Sequence, residues 1–452
     1  MTGLDRFAGR KVGVLGMARS GIAAARALSA AGAHVLAWDD RAEALRGLDL
    51  AAGTAADITD LAVLVASPGV PLTHPAPHPV IAAAQAAGVP VTCDIDLFCA
   101  ALPPERVVAV TGTNGKSTTT ALIHHLLVRA GQDSALGGNI GVPVFDLPPA
   151  SRYVLELSSY QLDLCTAFHP GIAVWSNLTP DHLDRHGDLD GYIAAKRRIF
   201  ARQQPSDWAV VGVDDGPSAA VAEGLKARTL RVSIGHVIEG EGLSVVDGVL
   251  HERLDGVSRA IGRIDGFSGL RGRHNQQNAA LAYGVGRALG IAPETLLAGL
   301  AGFAGLAHRM EEVARAGRVI WVNDSKATNP DSATKSLDSF ADVFWIAGGK
   351  PKPGGFASLR PFMRNVRGAF LIGQAAGEIA ADIGDLVPVR QCGTLERAMA
   401  EAGEAALASG HDPAVVLLAP ACASFDQFHS FEHRGEVFRS LACARLHVGA
   451  AA

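Results

Sequence analysis

Short runs of β-branched and aliphatic residues recur along the chain. Each is closed by glycine or a polar residue and followed by a longer stretch rich in alanine and leucine. Residues 11–16 and His34–Trp38 read as strands around a helix over 22–31, and residues 61–65 as a further strand. The pattern repeats at 107–111, 153–157 and 171–177, and again at 319–324, 343–347, 369–373 and 414–419. Helices are expected over 118–127, over 190–200 and from 273 onward. Asp247-Gly248, set between apolar runs, predicts a hairpin. Strands alternating with helices predict an α/β fold whose ligands meet the carboxyl ends of the strands. Pro103-Pro104 and the irregular link from Gly302 to Arg309 mark breaks, giving expected domains over 1–99, 100–304 and 305–452.

One stretch carries the strongest chemical signal: Val107-Val-Ala-Val-Thr-Gly-Thr-Asn-Gly-Lys-Ser-Thr-Thr-Thr120. A buried strand runs into a glycine loop and then a helix N-terminus. The glycines let backbone N–H groups turn inward, and the helix dipole favours negative charge there. The spacing predicts a site for ATP, with Lys116 on the outer phosphates and the Ser117 hydroxyl on Mg²⁺. The general phosphate-loop pattern has a glycine where this chain has Val110, and the first glycine here is Gly112.

Other positions gain meaning from that loop. Glu156 lies inside an apolar strand, where an unpaired carboxylate is costly, so it meets either Mg²⁺ beside Ser117 or a buried cationic side chain. Asn139, within Gly137-Gly-Asn-Ile-Gly141, either reaches a polar ligand or occupies a left-handed backbone position. His182 and His186 are four residues apart, but Pro180 and the lack of a third soft ligand argue against zinc. That leaves His182 for a second Mg²⁺ or a substrate and His186 for the surface. By pattern alone, Lys196-Arg197-Arg198 is a solvated basic face. The helix from 273 carries amides, Asn278 among them, on its first turns.

The first strand–helix–strand unit holds Gly16-Met-Ala-Arg-Ser-Gly21, a dinucleotide fingerprint spoiled by Ala18. It suits the pyrophosphate of another nucleotide better than NAD. Arg19 and Ser20 supply donors at the turn, and Asp39 and Arg41 close the second strand. Ser67 is either a ligand contact or an ordinary turn serine.

Composition narrows the classes. The 452 residues are 48% hydrophobic and 19% charged, which is globular, and the 51 glycines suit many strand-to-helix turns. A net charge of −5 offers no basic surplus for nucleic acid or an anionic membrane. The first residues have no apolar core for a signal peptide, and no apolar run is long enough for membrane insertion. The six cysteines form no C-x-x-C pair, so reduced, buried thiols in a cytoplasmic enzyme are expected.

Taken together, Gly112-Thr-Asn-Gly-Lys-Ser-Thr118, Glu156-Leu-Ser-Ser-Tyr-Gln161, Asp181-His182, the Lys196 helix, Gly272-Arg-His-Asn275 and His308-Arg309 resemble the Mur ligase family. That family makes amide bonds in peptidoglycan precursor synthesis, and its phosphate loop has this chain's glycine placement. The likeness runs from about residue 10 to 445. Asn323-Asp-Ser-Lys-Ala-Thr-Asn329 and Leu418-Ala-Pro-Ala-Cys-Ala-Ser-Phe-Asp-Gln-Phe428 resemble the members that add D-glutamate; another amino-acid-adding ligase is the alternative.

The resemblance implies a Rossmann-like N-terminal domain for a UDP-sugar, a central phosphate-loop domain for ATP and Mg²⁺, and a Rossmann-like C-terminal domain for the amino acid. It implies ATP-dependent joining of D-glutamate to UDP-N-acetylmuramoyl-L-alanine through an acyl phosphate. By the same likeness Lys116, Glu156, His182 and Lys196 are catalytic. Two Mg²⁺ ions take Ser117 and Glu156, then His182, with Lys196 carbamylated so that it carries a carboxylate. ATP falls to Thr113, Asn114, Gly115, Lys116, Ser117, Thr118 and Thr119, with Asn278, Arg309 and Asp324. The UDP end falls to Arg19, Ser20, Asp39, Arg41 and Ser67, with Asn139 nearer the sugar, and D-glutamate to Thr328, Lys352, Ser424 and Phe431. Lys350 stands where the better-known pattern is acidic, so Lys352 is favoured for the amino acid over its neighbour. A monomer in the cytoplasm is expected. A nicotinamide dehydrogenase and a non-catalytic nucleotide-binding protein are the rivals from other classes. The phosphate loop opposes the first; Glu156, His182 and Lys196 together oppose the second.

Overall fold

The apolar runs fold into three separate sheets. The structure, a computed structural model, describes residues 3–352 and 354–449. The first sheet is parallel, in the order β3-β2-β1-β4-β5, from β1 (Lys11–Leu15), β2 (His34–Trp38), β3 (Ala51–Ala52), β4 (Leu64–Ala66) and β5 (Val91–Thr92). The expected strand over 61–65 begins later, at Leu64. A short 3₁₀ turn, Ala55–Asp60, takes Leu61 as its C-cap.

The second sheet has the order β14-β13-β12-β11-β10-β9-β6-β8-β7. Its strands are β6 (Val107–Thr111), β7 (Ser134–Gly138), β8 (Arg152–Glu156), β9 (Ile172–Trp175), β10 (Trp208–Gly212), β11 (Arg228–Ser233), β12 (Gly242–Val246), β13 (Val249–Leu254) and β14 (Val257–Arg263). It is parallel as far as β12 and antiparallel beyond. Asp247 and Gly248 make the expected hairpin, with φ of 48° and 76°, the positive angles that a tight two-residue turn demands. Residues 107–110 of β6 are fully buried, as a central strand covered on both faces must be.

The third sheet runs β15-β16-β20-β17-β18-β19, from β15 (Glu311–Ala316), β16 (Val319–Asn323), β17 (Val343–Gly348), β18 (Val366–Ile372), β19 (Val389–Gly393) and β20 (Ala414–Leu418). Only the edge strand β15 is antiparallel. The chain packs as two compact units. One runs to Ile264 and takes in His274–Leu300; the other takes in Asp265–Arg273 and the described chain from Ala301 on.

In each sheet one connection crosses over a central strand to its other side. There β1 lies between β2 and β4, β6 between β8 and β9, and β20 between β16 and β17. Crevices at the carboxyl ends of such strands are where open α/β sheets bind ligands.

Candidate active site

At the middle crevice, β6 delivers Gly112, Thr113, Asn114 and Gly115 to the N-terminus of the helix Lys116–Arg129. Gly112 and Gly115 have φ of 143° and 82°, and Gly115 is the helix N-cap. A Cβ on Gly115 would lie 2.3 Å from Oδ1 of Asn278, so this side of the loop admits only glycine. Asn278 is 2% exposed. Its Oδ1 accepts from the Thr119 hydroxyl at 3.1 Å, and its Nδ2 donates to Asn275 at 3.0 Å. It braces the loop from below. Ser117 is buried beside it, Thr118 half-buried.

From the other side the loop is held by residues after β9. The Thr113 and Asn114 amides donate to the Asn177 carbonyl and Oδ1, each at 2.9 Å. Ser176 Oγ donates to the Asn114 carbonyl at 2.6 Å. The Thr113 hydroxyl donates to the Thr179 carbonyl at 3.0 Å and lies 3.2 Å from the Tyr192 hydroxyl. Sequence reasoning passed over Ser176, Asn177 and Tyr192. The signal was available: Ser176 and Asn177 directly follow a strand that pairs with β6, in register from Val108 to Thr111.

Two lysines meet at the loop. Lys116 Nζ donates to the carbonyls of Gly112 and Thr113 at 3.0 and 2.7 Å. Lys196 Nζ donates to the Gly112 carbonyl at 2.6 Å and to the Thr111 hydroxyl at 3.3 Å. The solvated basic face expected from Lys196-Arg197-Arg198 is therefore wrong for Lys196, which is 1% exposed. On the helix Leu189–Arg197 it shares the buried stripe of Tyr192 and Ala195, continued by Ile199 and Phe200, while Arg197 points to solvent. Burial, with Lys116 nearby as a second cause, holds the Lys196 ammonium well below its usual range; Asp181 and Glu156 pull weakly the other way.

Glu156, last residue of β8 and 2% exposed, pairs in register with Val110. Its Oε1 accepts from Asn139 Nδ2 at 2.7 Å. Its Oε2 is buried with no partner. Among the described residues no cationic side chain is hydrogen-bonded to this carboxylate, so the salt-bridge reading does not hold. An orphaned carboxylate oxygen beside a phosphate loop fits a divalent cation. Among the described residues no three His, Cys, Asp or Glu side chains converge as a metal cage. At Asn139 the left-handed reading fails, since positive φ falls on Gly138 and Gly141 instead.

His182 is exposed, has φ of 53° and accepts or donates at Nδ1 to the Tyr160 hydroxyl, 3.0 Å away. His186 is not at the surface: it is 7% exposed, with Nε2 2.9 Å from Ser159 Oγ. Its ring stands beside Tyr160 and Tyr192.

At the first sheet's crevice Ser67 Oγ donates to the Gly16 carbonyl at 2.6 Å, bridging β1 and β4. Asp39 accepts from the Met17 and Arg41 amides at 2.7 and 2.9 Å. Partial burial alone would raise its carboxyl, but those amides and the Arg41 guanidinium leave it below the usual range. Arg19 donates to the Gly141 carbonyl at 2.7 Å, two residues from Asn139. Burial pushes the carboxyl of the buried Asp94 up to about 6, against the neighbouring Ser20 hydroxyl and the local backbone amides.

In the second unit, Asp324 follows β16 and is buried. Burial pushes its carboxyl up to about 6, against the Ser336 hydroxyl, Arg309 and the Met310 amide. Ser424 is buried, Thr328 and Phe431 half-buried and Lys352 exposed. Lys350 and Ala423 exchange backbone hydrogen bonds at 2.8 and 3.1 Å, which brings the Lys352 segment alongside Ser424. Lys326 Nζ sits 3.9 Å over the Phe431 ring.

Comparison with known proteins bears on the whole chain. Residues 110–286 match the Mur ligase middle domain, and residues 308–422 the Mur ligase, glutamate ligase domain. The chain is 48% identical to the UDP-N-acetylmuramoylalanine–D-glutamate ligase of Caulobacter sp. (strain K31), covering 96% of each chain. It is 46% identical to the ligase of that name from Paramagnetospirillum magneticum, over the full length of both. Among solved structures it resembles MurF of Acinetobacter baumannii, with TM-score 0.59, 18% identity and coverage of 92% of this chain and 86% of that one. It also resembles the UDP-N-acetylmuramate–alanine ligase of Thermotoga maritima, with TM-score 0.58, 16% identity and coverage of 97% and 99%. These structural likenesses speak for the fold.

Proposed function

The chain belongs to the Mur ligase family, and we propose that it joins D-glutamate to UDP-N-acetylmuramoyl-L-alanine while ATP is cleaved to ADP and phosphate. The full-length likeness to D-glutamate ligases carries this reading. The division into a UDP-sugar domain over 1–99, an ATP domain over 100–304 and an amino-acid domain over 305–452 accords with three sheets, each with its own crevice.

The chemistry begins with an electrostatic obstacle, since a carboxylate must approach a triphosphate. The L-alanine carboxylate attacks the γ-phosphorus, the bond to the β,γ-bridging oxygen breaks, and ADP leaves. The neutral amine of D-glutamate then attacks the acyl carbon, loses a proton and expels phosphate from a tetrahedral intermediate. The loop amides and Lys116 hold the phosphates. Lys116 Nζ now rests on its own loop carbonyls, which phosphate oxygens would replace as stronger acceptors. Asn278 and Asn177 keep the loop in shape.

Glu156 Oε2 and the Ser117 hydroxyl would hold one Mg²⁺; a carbamylated Lys196 and His182 fit a second. When bound, the ions neutralise charge on the transferring phosphoryl group. Lys196 suits carbamylation because only a neutral amine adds to CO₂, and its site disfavours the ammonium. Arg309 and Asp324 complete the ATP contacts; Arg19, Ser20, Asp39, Arg41, Ser67 and Asn139 take the UDP-sugar; Thr328, Lys352, Ser424 and Phe431 take D-glutamate. No described helix is long and apolar enough to cross a membrane, and a cytoplasmic enzyme acting as a monomer is the accompanying proposal. Oxygen-18 placed in the L-alanine carboxylate tests the route. One labelled oxygen should appear in the released phosphate, and unlabelled phosphate would exclude an acyl phosphate.

A further inference from the structure

Among the described residues of the second unit, Arg434 is the largest charged side chain fully buried, with an exposure of 0%. Its Nε donates to Ser325 Oγ at 2.9 Å, and its Nη2 to the carbonyls of Ser325 and Cys422 at 2.9 and 3.2 Å. Its Nη1 is buried without a hydrogen-bond partner and faces Gly349, where a Cβ would stand only 3.2 Å away. Ser325, Cys422 and Gly349 follow β16, β20 and β17, three neighbours in one sheet. One guanidinium thus spans the carboxyl ends of three adjacent strands.

The chain leaving those ends carries the groups proposed for the amino acid. Thr328 follows β16, Ser424 follows β20 and Lys352 follows β17. Phe431 lies one helical turn before Arg434, and its carbonyl accepts from the same Ser325 hydroxyl at 2.8 Å. Among the described residues no carboxylate is hydrogen-bonded to this cation, though Asp426 lies near enough to favour its charge. Burying a charge does not favour stability by itself, so what the guanidinium contributes is fixed geometry, added to the backbone bonds that already join Ala421 to Ala327 and Lys350 to Ala423.

We propose that Arg434 is a positioning residue for the amino-acid substrate, setting the spacing of Thr328, Lys352, Ser424 and Phe431 through Ser325, Cys422 and Gly349. This rests on the amino-acid site proposed above. A lysine keeps the charge but cannot bridge the strand ends with a planar fork.

The test compares R434K and S325A with the unaltered protein, following the KM for D-glutamate, ATP and UDP-N-acetylmuramoyl-L-alanine alongside the melting temperature. R434K should raise the D-glutamate KM roughly tenfold or more, as lost orientation does, with the other two KM values within about twofold. S325A, which removes one hydroxyl and no charge, should move the same constant in the same direction by less. Guanidinium ion at millimolar levels should partly restore a folded R434A variant. An unchanged D-glutamate KM in R434K and S325A overturns the proposal, as does an equal rise in all three constants. If the unaltered protein responds to a different amino acid, the substrate reading fails. A selective KM rise for that amino acid would still support the role of Arg434.

Discussion

Lys116 and Lys196 donate to the same carbonyl oxygen, that of Gly112, at 3.0 and 2.6 Å. Burial of Lys196, and next the repulsion between two cations on one acceptor, lower its hold on its proton. That shift favours the neutral amine, the form that the proposed carbamylation needs. Lys196→Ala is expected to lose activity on the order of a hundredfold. Acetate or formate should restore part of it by supplying the missing carboxylate. Full activity without either would remove the carbamate from the account.

The same burial has a thermodynamic consequence. The folded protein holds the Lys196 proton less tightly than the unfolded chain, whose lysine stays near 10.5. Between the depressed folded value and 10.5 the unfolded state binds more protons, so stability rises with pH across that window. In CO₂-free buffer, Lys196→Met should therefore melt higher than the unaltered protein at neutral pH. That advantage should shrink as the pH climbs toward 10.5. Melting curves across pH check this; a constant difference would contradict it.

Glu156 presents one bonded and one unbonded carboxylate oxygen because Asn139 occupies Oε1 at 2.7 Å. Asn139→Ala should leave the carboxylate free to turn and raise the Mg²⁺ concentration for half-activation roughly tenfold, as loss of a ligand-orienting partner does. Glu156→Gln should raise it further and slow turnover. An unchanged Mg²⁺ titration in both variants would take Glu156 out of the metal site.

These positions also show what could be read from sequence. Glu156 stood out because a carboxylate inside an apolar strand needs a reason. The phosphate loop stood out because strand, glycines and helix follow one another within a few residues. Lys196 misled by its neighbours Arg197 and Arg198. The helical stripe of Tyr192, Ala195, Ile199 and Phe200 already placed it on the buried face. The brace from Asn278 to Gly115 joins residues 163 positions apart, and no local pattern reports such a contact. Arg434 was missed for the same reason. Its three partners are neighbours only once β16, β20 and β17 lie side by side.

Lys350 and Lys352 are both exposed, and the backbone of Lys350 pairs with Ala423. Lys352→Ala should raise the KM for D-glutamate about tenfold, the effect of removing one charge-assisted hydrogen bond, and leave that for ATP nearly unchanged. Steady-state kinetics with each substrate varied in turn will show it. Equal rises in both would assign the contact to Lys350 or make Lys352 structural.

Ligation stands or falls with phosphate release from ATP. Purified protein, Mg²⁺ and UDP-N-acetylmuramoyl-L-alanine would be supplied with one amino acid at a time. Release with D-glutamate alone, matched by the UDP-linked dipeptide, is the predicted result. Release with another amino acid instead would move the chain to a sister ligase, and no release with any would contradict a ligase altogether.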